Sequence, residues 1–312
     1  MSVFAIAGSA RAQESYPARP VRIVVPQSPG GSIDTNIRII SVRLSEALKQ
    51  PVVLDNRPGA GTINGTEIVA RANPDGYTLL GVATSFTINP SLYAKLSYDT
   101  ARDFTAVAQI SKYPYLLCAH PGLPAQTLQG AIALAKAKPG QLNYASAGTG
   151  TGTHVAMELL RQMTGIDIVH IAYKGGGPAA VAAMGGQVQL VLGTTIGTLV
   201  HARSGRLKAL AITAAQRSAA APEVPTFAES GVSGYEYEAF NGLLAPGRTP
   251  PHIIGKLNEH IARILASPEV KRAYANDGAE AVGASADAFA ALLKAEAVKW
   301  ARVIRTAGIK PL

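Results

Sequence analysis

Strand-like runs alternate with amphipathic helical patterns along almost the whole chain, and that alternation most narrows what the chain can fold into. "VRIVVP" (21–26) reads as a strand. Ile33, Ile37, Ile40, Leu44 and Leu48 then fall on one helix face. "PVVLDN" (51–56), a turn into a helix through Ala72, and "YTLLGVAT" (77–84) complete a first α/β series, with Asn73-Pro74-Asp75-Gly76 as a stop. A second series follows residue 116. The helix "LQGAIALAKAKPG" leads to the strand "QLNYASAG" and to a helix with Val155, Leu159 and Met163 in phase. The strand "IDIVHIAY", the helix "PAAVAAMGG" and the strands "VQLVLGTT" and "LKALAIT" close it. Such a rhythm predicts parallel sheets with helices on both faces. The C-terminal part is helical and starts with Ile253, Leu257, Ile261 and Ile264 in register.

Two extended, aromatic segments interrupt the pattern where one series hands over to the other. They are "ISKYPYLLCAHPG" (110–122) and "YEYEAFNGLLAPG" (235–247). If both cross between lobes, the first lobe is discontinuous, 13–116 plus 240–312, and the second is 117–239. The expected fold is α/β and two-lobed, with two crossing hinge strands and a cleft between the lobes. At 312 residues, 47% hydrophobic and 16% charged, the chain has material for such a core. No internal run approaches the roughly 18–20 apolar residues of a membrane helix. "VFAIAGS" followed by Ala10-Arg11-Ala12 reads as the tail of a secretory signal peptide, residues 1–12, with mature protein starting near Gln13. Export is therefore expected.

The net charge of +9 is spread over solvated helix faces. Clustered Lys/Arg with interleaved aromatics is missing, so nucleic acid is not an expected partner. A diffuse positive field that favours small anions fits better. The single cysteine, Cys118, lies in an apolar run and reads as a buried small residue. The chain has no G-x-S-x-G, H-E-x-x-H or Walker motif. Its six histidines are dispersed without metal-ligand spacing. Neither a catalytic residue, a metal nor a cofactor is expected.

What recurs is the anion-friendly turn. In "QSPGGSID", Gly30 and Gly31 expose backbone amides, Ser32 opens a helix and Asp34 sits in its first turn, more suited to locking the loop than to meeting an anion. In "YASAGTGTGTH", Gly148, Gly150 and Gly152 alternate with Thr149, Thr151 and Thr153. A helix N-terminus leaves its first amides unpaired and carries about half a positive charge. It binds anions without needing a cation. "YKGGGP" adds a third such turn, with Lys174 beside it. Ligands of open α/β sheets bind beyond the carboxyl ends of the strands. That rule collects Gly30, Gly31, Ser32, Thr84, Ser85, Ser146, Gly148, Thr151, Gly152, His154, Tyr173, Thr194 and Thr195 around one space.

Taken together, "PGGSIDTNIR", "VVLDNRPGAGTINGTEIVARANPDGYTLL", "LAKAKPGQLNYASAGTGTGTHVAMELL", "IVHIAYKG", "EVPTFAESG" and "GLLAPGRTPP" resemble the tripartite tricarboxylate transporter substrate-binding proteins, the Bordetella-uptake-type group. The resemblance runs from Tyr16 to the C-terminus. It implies a periplasmic, type II (Venus-flytrap) binding protein that closes on a small carboxylate and delivers it to a membrane permease. It also implies that the loops Pro29–Asp34 and Ser146–His154 grip one carboxylate between them. No segment reads as an obligate interface, so a monomer is expected. Phe240 stands where the family commonly has tryptophan, Asn241 where phenylalanine is common, and Phe86 where histidine is frequent. In "LGTTIG", Gly193, Thr194 and Thr195 replace a common Asn or Asp. An added aromatic and fewer charges at the far end of the ligand, Phe240 included, suggest an aromatic carboxylate or a dicarboxylate. On the residues alone two other functions stay open. One is a cleft enzyme using a Gly-rich loop for a nucleotide, with Asp167 or Asp55 at ribose-binding distance along the chain. The other is a sensory module that presents its ligand to a receptor.

Overall fold

A computed structural model describes residues 16–276 and 278–309. The proposed signal sequence lies outside the described residues. Among the described residues, no helix is long and apolar enough to cross a membrane.

The first series forms β1 (Val21–Val25), α1 (Ser32–Leu48), β2 (Val52–Asn56), α2 (Ile63–Ala70) and β3 (Thr78–Ala83). β1 pairs in parallel with both β2 and β3. The helix periodicity is realised: Ile33, Ile37, Ile40 and Leu44 of α1 are fully buried. A short helix, α3 (Ser85–Leu92), follows β3 and holds Pro90. The sixteen-residue strand β4 (Phe104–Ala119) comes next.

The second series is α4 (Leu128–Ala137), β5 (Asn143–Ser146), α5 (Gly152–Thr164), β6 (Val169–Ala172), α6 (Gly176–Met184), β7 (Leu190–Thr194), α7 (Thr195–Arg203) and β8 (Lys208–Ile212). Here β5 pairs in parallel with β6 and β7. The expected apolar face of α5 is corrected. Leu159 is half-buried and Met163 exposed, while Ala156, Met157 and Leu160 join Val155 in the core. The cause is that α5 packs against the sheet and also against the C-terminal helix, so burial spreads around it.

The chain returns through β9 (Glu238–Pro246), then α8 (Pro251–Ala266), α9 (Pro268–Asn276), β10 (Glu280–Ala281) and α10 (Ala286–Thr306). The strand order is β2-β1-β3-β9-β4-β7-β5-β6, with β8 and β10 also on β4. β4 belongs to both halves. Phe104–Pro114 pairs antiparallel with β9, and Tyr115–Ala119 pairs with β7 and β8. The result is a two-lobed α/β fold with β4 and the approach to β9 crossing between the lobes. Helix α10 reaches from α3 to α5, where Gln162 Nε2 donates to the Val303 carbonyl at 2.7 Å.

Candidate functional site

The loops that follow β1, β3, β5, β6 and β7 each open directly into a helix, as the carboxyl-end rule requires. The α1 loop is locked from behind. Asp34, 2% exposed, accepts from the Gly30 amide at 2.9 Å and from Arg38 and Asn56. Those donors outweigh burial and hold its carboxyl below the usual carboxylate range. Gln27 Oε1 takes the Ile33 amide at 3.0 Å, and the N-cap residue of α1, Gly31, supplies no side-chain cap of its own. Gly30, at φ +81°, makes the turn.

The α5 loop has the same logic. Gly148, at φ +137°, and Gly150, at φ +75°, bend it. The Gly148 amide donates to Ser146 Oγ at 3.1 Å and the Gly150 amide to His154 Nδ1 at 3.1 Å. Thr151 Oγ1 donates to the Gly148 carbonyl at 2.7 Å and leaves α5 without a side-chain cap. Ser146 and His154 are buried, and their side chains brace the loop from inside instead of facing the cleft. Thr194 caps α7 by accepting from the Gly197 amide, and Thr195 Oγ1 donates to the Pro114 carbonyl at 3.1 Å, tying α7 to β4. Tyr173 packs half-buried against the apolar cluster beneath α6.

Between the two helix starts lies a floor that motif reading of the sequence missed. Tyr113 sits beside Ser32 and Asn241. Tyr237 sits beside Thr84 and Tyr115. The Tyr115 and Tyr237 hydroxyls abut Gly152 so closely that a β-carbon there would overlap both. A belt of hydroxyls therefore runs from the start of α1 to the start of α5. Burial pushes all three tyrosine hydroxyls up in pKa, so each keeps its proton as a donor. Thr84 Oγ1, Tyr237 Oη and Asn241 Oδ1 are buried with no hydrogen bond of sound geometry. Asn241 spends its amide nitrogen on the Val82 carbonyl. Buried polar atoms are normally paired, and these three keep hydrogen-bonding capacity at the hydroxyl belt. The visible signal was the period-two tyrosine spacing in "KYPY" and "YEY" at the crossings.

Phe240 is a correction. Register pairs Lys112 with Phe240 and Ser111 with Asn241, and an irregularity in β4 between Gln109 and Ser111 shifts the alternation. Asn241 thus faces α1, while Phe240 turns to the opposite side. There it packs on Phe289 at 5.8 Å and, with Phe86, fills a core cluster. The cavity that Phe240 does line, of about 320 Å3 with Gln109, Lys112, Glu238 and Lys299, lies behind the crossing strands. A second, of about 420 Å3, is on the outer surface around Ile132 and Met163. The case for an aromatic ligand built on Phe86 and Phe240 falls with this. Cys118 is buried, as read, and burial lifts its thiol to about 12.

Two lobes joined by crossing strands, with a helix start on either side of an uncharged donor floor, define a solute-binding protein. The family model described as "Tripartite tricarboxylate transporter family receptor" matches residues 37–309, and the chain belongs to that family of periplasmic solute-binding proteins. Protein BugT of Bordetella pertussis is 38% identical over 299 residues, covering 95% of this chain and 92% of that protein. A solved structure of Rpa4515 from R. palustris with adipate has a TM-score of 0.89 and 34% identity, covering 95% of this chain and all of that one. MatC from Rhodopseudomonas palustris with bound malate has a TM-score of 0.84 and 32% identity, covering 93% and 100%.

Proposed function

We propose that the protein captures a small dicarboxylate in the cleft in the periplasm and hands it, closed, to a membrane permease. The observation that carries this is the cluster of buried Thr84, Tyr237 and Asn241 atoms without a hydrogen bond of sound geometry, set between two helix N-termini whose N-cap residues, Gly31 and Thr151, supply no side-chain cap. One carboxylate would sit on the α1 and α5 amides, where each helix start is worth up to about 2 kcal/mol in a partly buried geometry. Charge-assisted hydrogen bonds add roughly 1.5–3 kcal/mol each. The second carboxylate or its substituents would meet the hydroxyl belt. Because α1 and α5 belong to different lobes, these contacts are simultaneous only in the closed form, and ligand shifts the open–closed balance. The moving bodies are taken as 13–116 plus 240–312 against 117–239. Adipate and malate on structural relatives support the ligand class. Against a nucleotide, the Gly148 and Gly150 amides of the α5 loop are taken by Ser146 and His154.

The test is calorimetry with adipate, malate, succinate and benzoate, and with a neutral sugar as control. Saturable binding of an aliphatic dicarboxylate, with a thermal shift equivalent to about 2.7 kcal/mol at 100-fold excess over Kd, is expected. Binding of the sugar alone, or of none of the acids, would overturn the reading.

A further inference from the structure

Beneath the α5 loop two histidines from different elements lie face to face. His154, in the first turn of α5, stacks on His170 of β6 with ring centroids 4.0 Å apart and planes 16° apart. His170 stacks in turn on Tyr144 at 4.9 Å. Each ring ends on a different part of the glycine loop. His154 Nδ1 accepts the Gly150 amide, which requires Nδ1 unprotonated and places the ring hydrogen on Nε2, 4.0 Å from Glu158 Oε1. His170 Nε2 lies 2.6 Å from Ser146 Oγ, the atom that takes the Gly148 amide. His154 is buried and His170 half-buried, and each ring bonds to an atom of the loop itself.

We propose that His154 and His170 are positioning residues of the ligand loop: as a stacked, uncharged pair they hold the Gly148 and Gly150 amides inward, so that the uncapped amides of α5 are presented to the ligand, and protonation of the pair lowers affinity. This rests on the dicarboxylate reading above. The chemistry is direct. A proton on His154 Nδ1 turns an acceptor into a donor that faces the donating Gly150 amide. It also places positive charge at the positive end of α5. Charging both rings sets like charges 4.0 Å apart. The charged groups facing the pair do not remove this. Glu158 is engaged by Tyr144 at 2.8 Å and by Arg161 at 2.8 Å, and Arg161 also reaches Asp167 at 3.9 Å. Burial, then Arg161, pushes His154 down to about 4. Burial, then His154, does the same for His170, also to about 4. The pair is therefore neutral at ordinary pH and charges in acid.

The experiment compares wild type with His154→Leu and His154→Asn, whose amide oxygen can replace Nδ1 as acceptor. Without any ligand, nitrogen NMR should show His154 with its proton on Nε2. Gly150 amide exchange should be at least about tenfold faster in His154→Leu than in wild type or His154→Asn. With the dicarboxylate found by calorimetry, His154→Leu should bind about tenfold or more weakly and His154→Asn within about threefold of wild type. At pH 4, where the imidazole is about half protonated, wild type should have lost about twofold more affinity, relative to pH 6, than His154→Asn, which shares the ligand's own titration but not the imidazole's. Equal Gly150 exchange in all three proteins, a proton on Nδ1, or parallel pH profiles would overturn the proposal. Wild type that binds no carboxylate yet shows the expected exchange pattern would overturn the functional reading and leave the loop brace standing.

Discussion

Gly150, in the loop of the second lobe, lies directly against the Leu92 side chain at the end of α3 in the first, with no room between them for a β-carbon. The contact ties the α5 loop of the second α/β series to α3 of the first, and the absence of a side chain on Gly150 sets how closely they approach.

Gly150→Ala should therefore hold the lobes apart. It carries two penalties, overlap with Leu92 Cδ2 and a left-handed backbone costing about 1–2 kcal/mol for a residue with a β-carbon. The expected outcome is a loss of dicarboxylate affinity of about tenfold or more with the fold kept, and a larger radius of gyration in solution scattering with ligand present. Adding Leu92→Ala should recover part of the affinity, since it removes the overlap but not the backbone strain. A double-mutant cycle with no coupling would show that the lobes do not close on this contact.

Removing the Tyr237 hydroxyl should move stability and binding in opposite directions. Tyr237 Oη is buried beside Thr84 and Tyr115 with no hydrogen bond of sound geometry. Tyr237→Phe then deletes an unsatisfied group and should leave stability unchanged or raise it, by up to about 1–3 kcal/mol. If the ligand is the absent partner, affinity falls by about 0.5–1.5 kcal/mol. Chemical denaturation and calorimetry on the same variant check both signs.

Phe240→Leu tests the far side of the strand. The ring is 2% exposed and packs on Phe289. Truncation should cost about 1–2 kcal/mol of stability through lost packing. The Kd values for adipate, malate and benzoate should not change order. A switch in ligand preference would place Phe240 in the site after all.

Acid should destabilise the ligand-free protein through the same buried imidazoles. His154 and His170 have folded pKa values depressed to about 4, below an unfolded value near 6.5. Their contribution is complete above about 6.5 and is lost as pH falls through about 4, because the unfolded chain binds protons that the folded one refuses. Each ring adds a slope of at most about 1.4 kcal/mol per pH unit across that window, lessened by the partial exposure of His170. Urea unfolding at several pH values measures it, and His170→Asn should flatten the curve.

Much of this was legible because periodicity is a local property. The faces of α1 and α8, the strands feeding each glycine turn and the crossing segments follow from spacing alone. Helix α3 was hidden by Pro90 and a polar run of only eight residues. The side reached by Phe240 depends on the irregularity in β4, a partner strand nearly 130 residues away, which no pattern within "YEYEAFN" encodes. His154 and His170 looked dispersed because sixteen residues separate them. Parallel pairing of β5 with β6 brings His170 beside Tyr144 and under the loop. The hydroxyl belt was missed for a related reason: its tyrosines and Asn241 come from β4, β9 and the approach to β9, and Thr84 from the end of β3, so adjacency exists only once the strands pair.

The shared strand β4 also bears on how such a protein can be taken apart. Its front half is stitched to β9 and its back half to β7 and β8, while α10 reaches over to α5. Neither half can be excised as a free-standing module without stripping a sheet of an interior member. Chimeras that exchange ligand preference with a relative must therefore graft loops onto an intact scaffold, because a swap of whole halves would cut the one strand that both were built around.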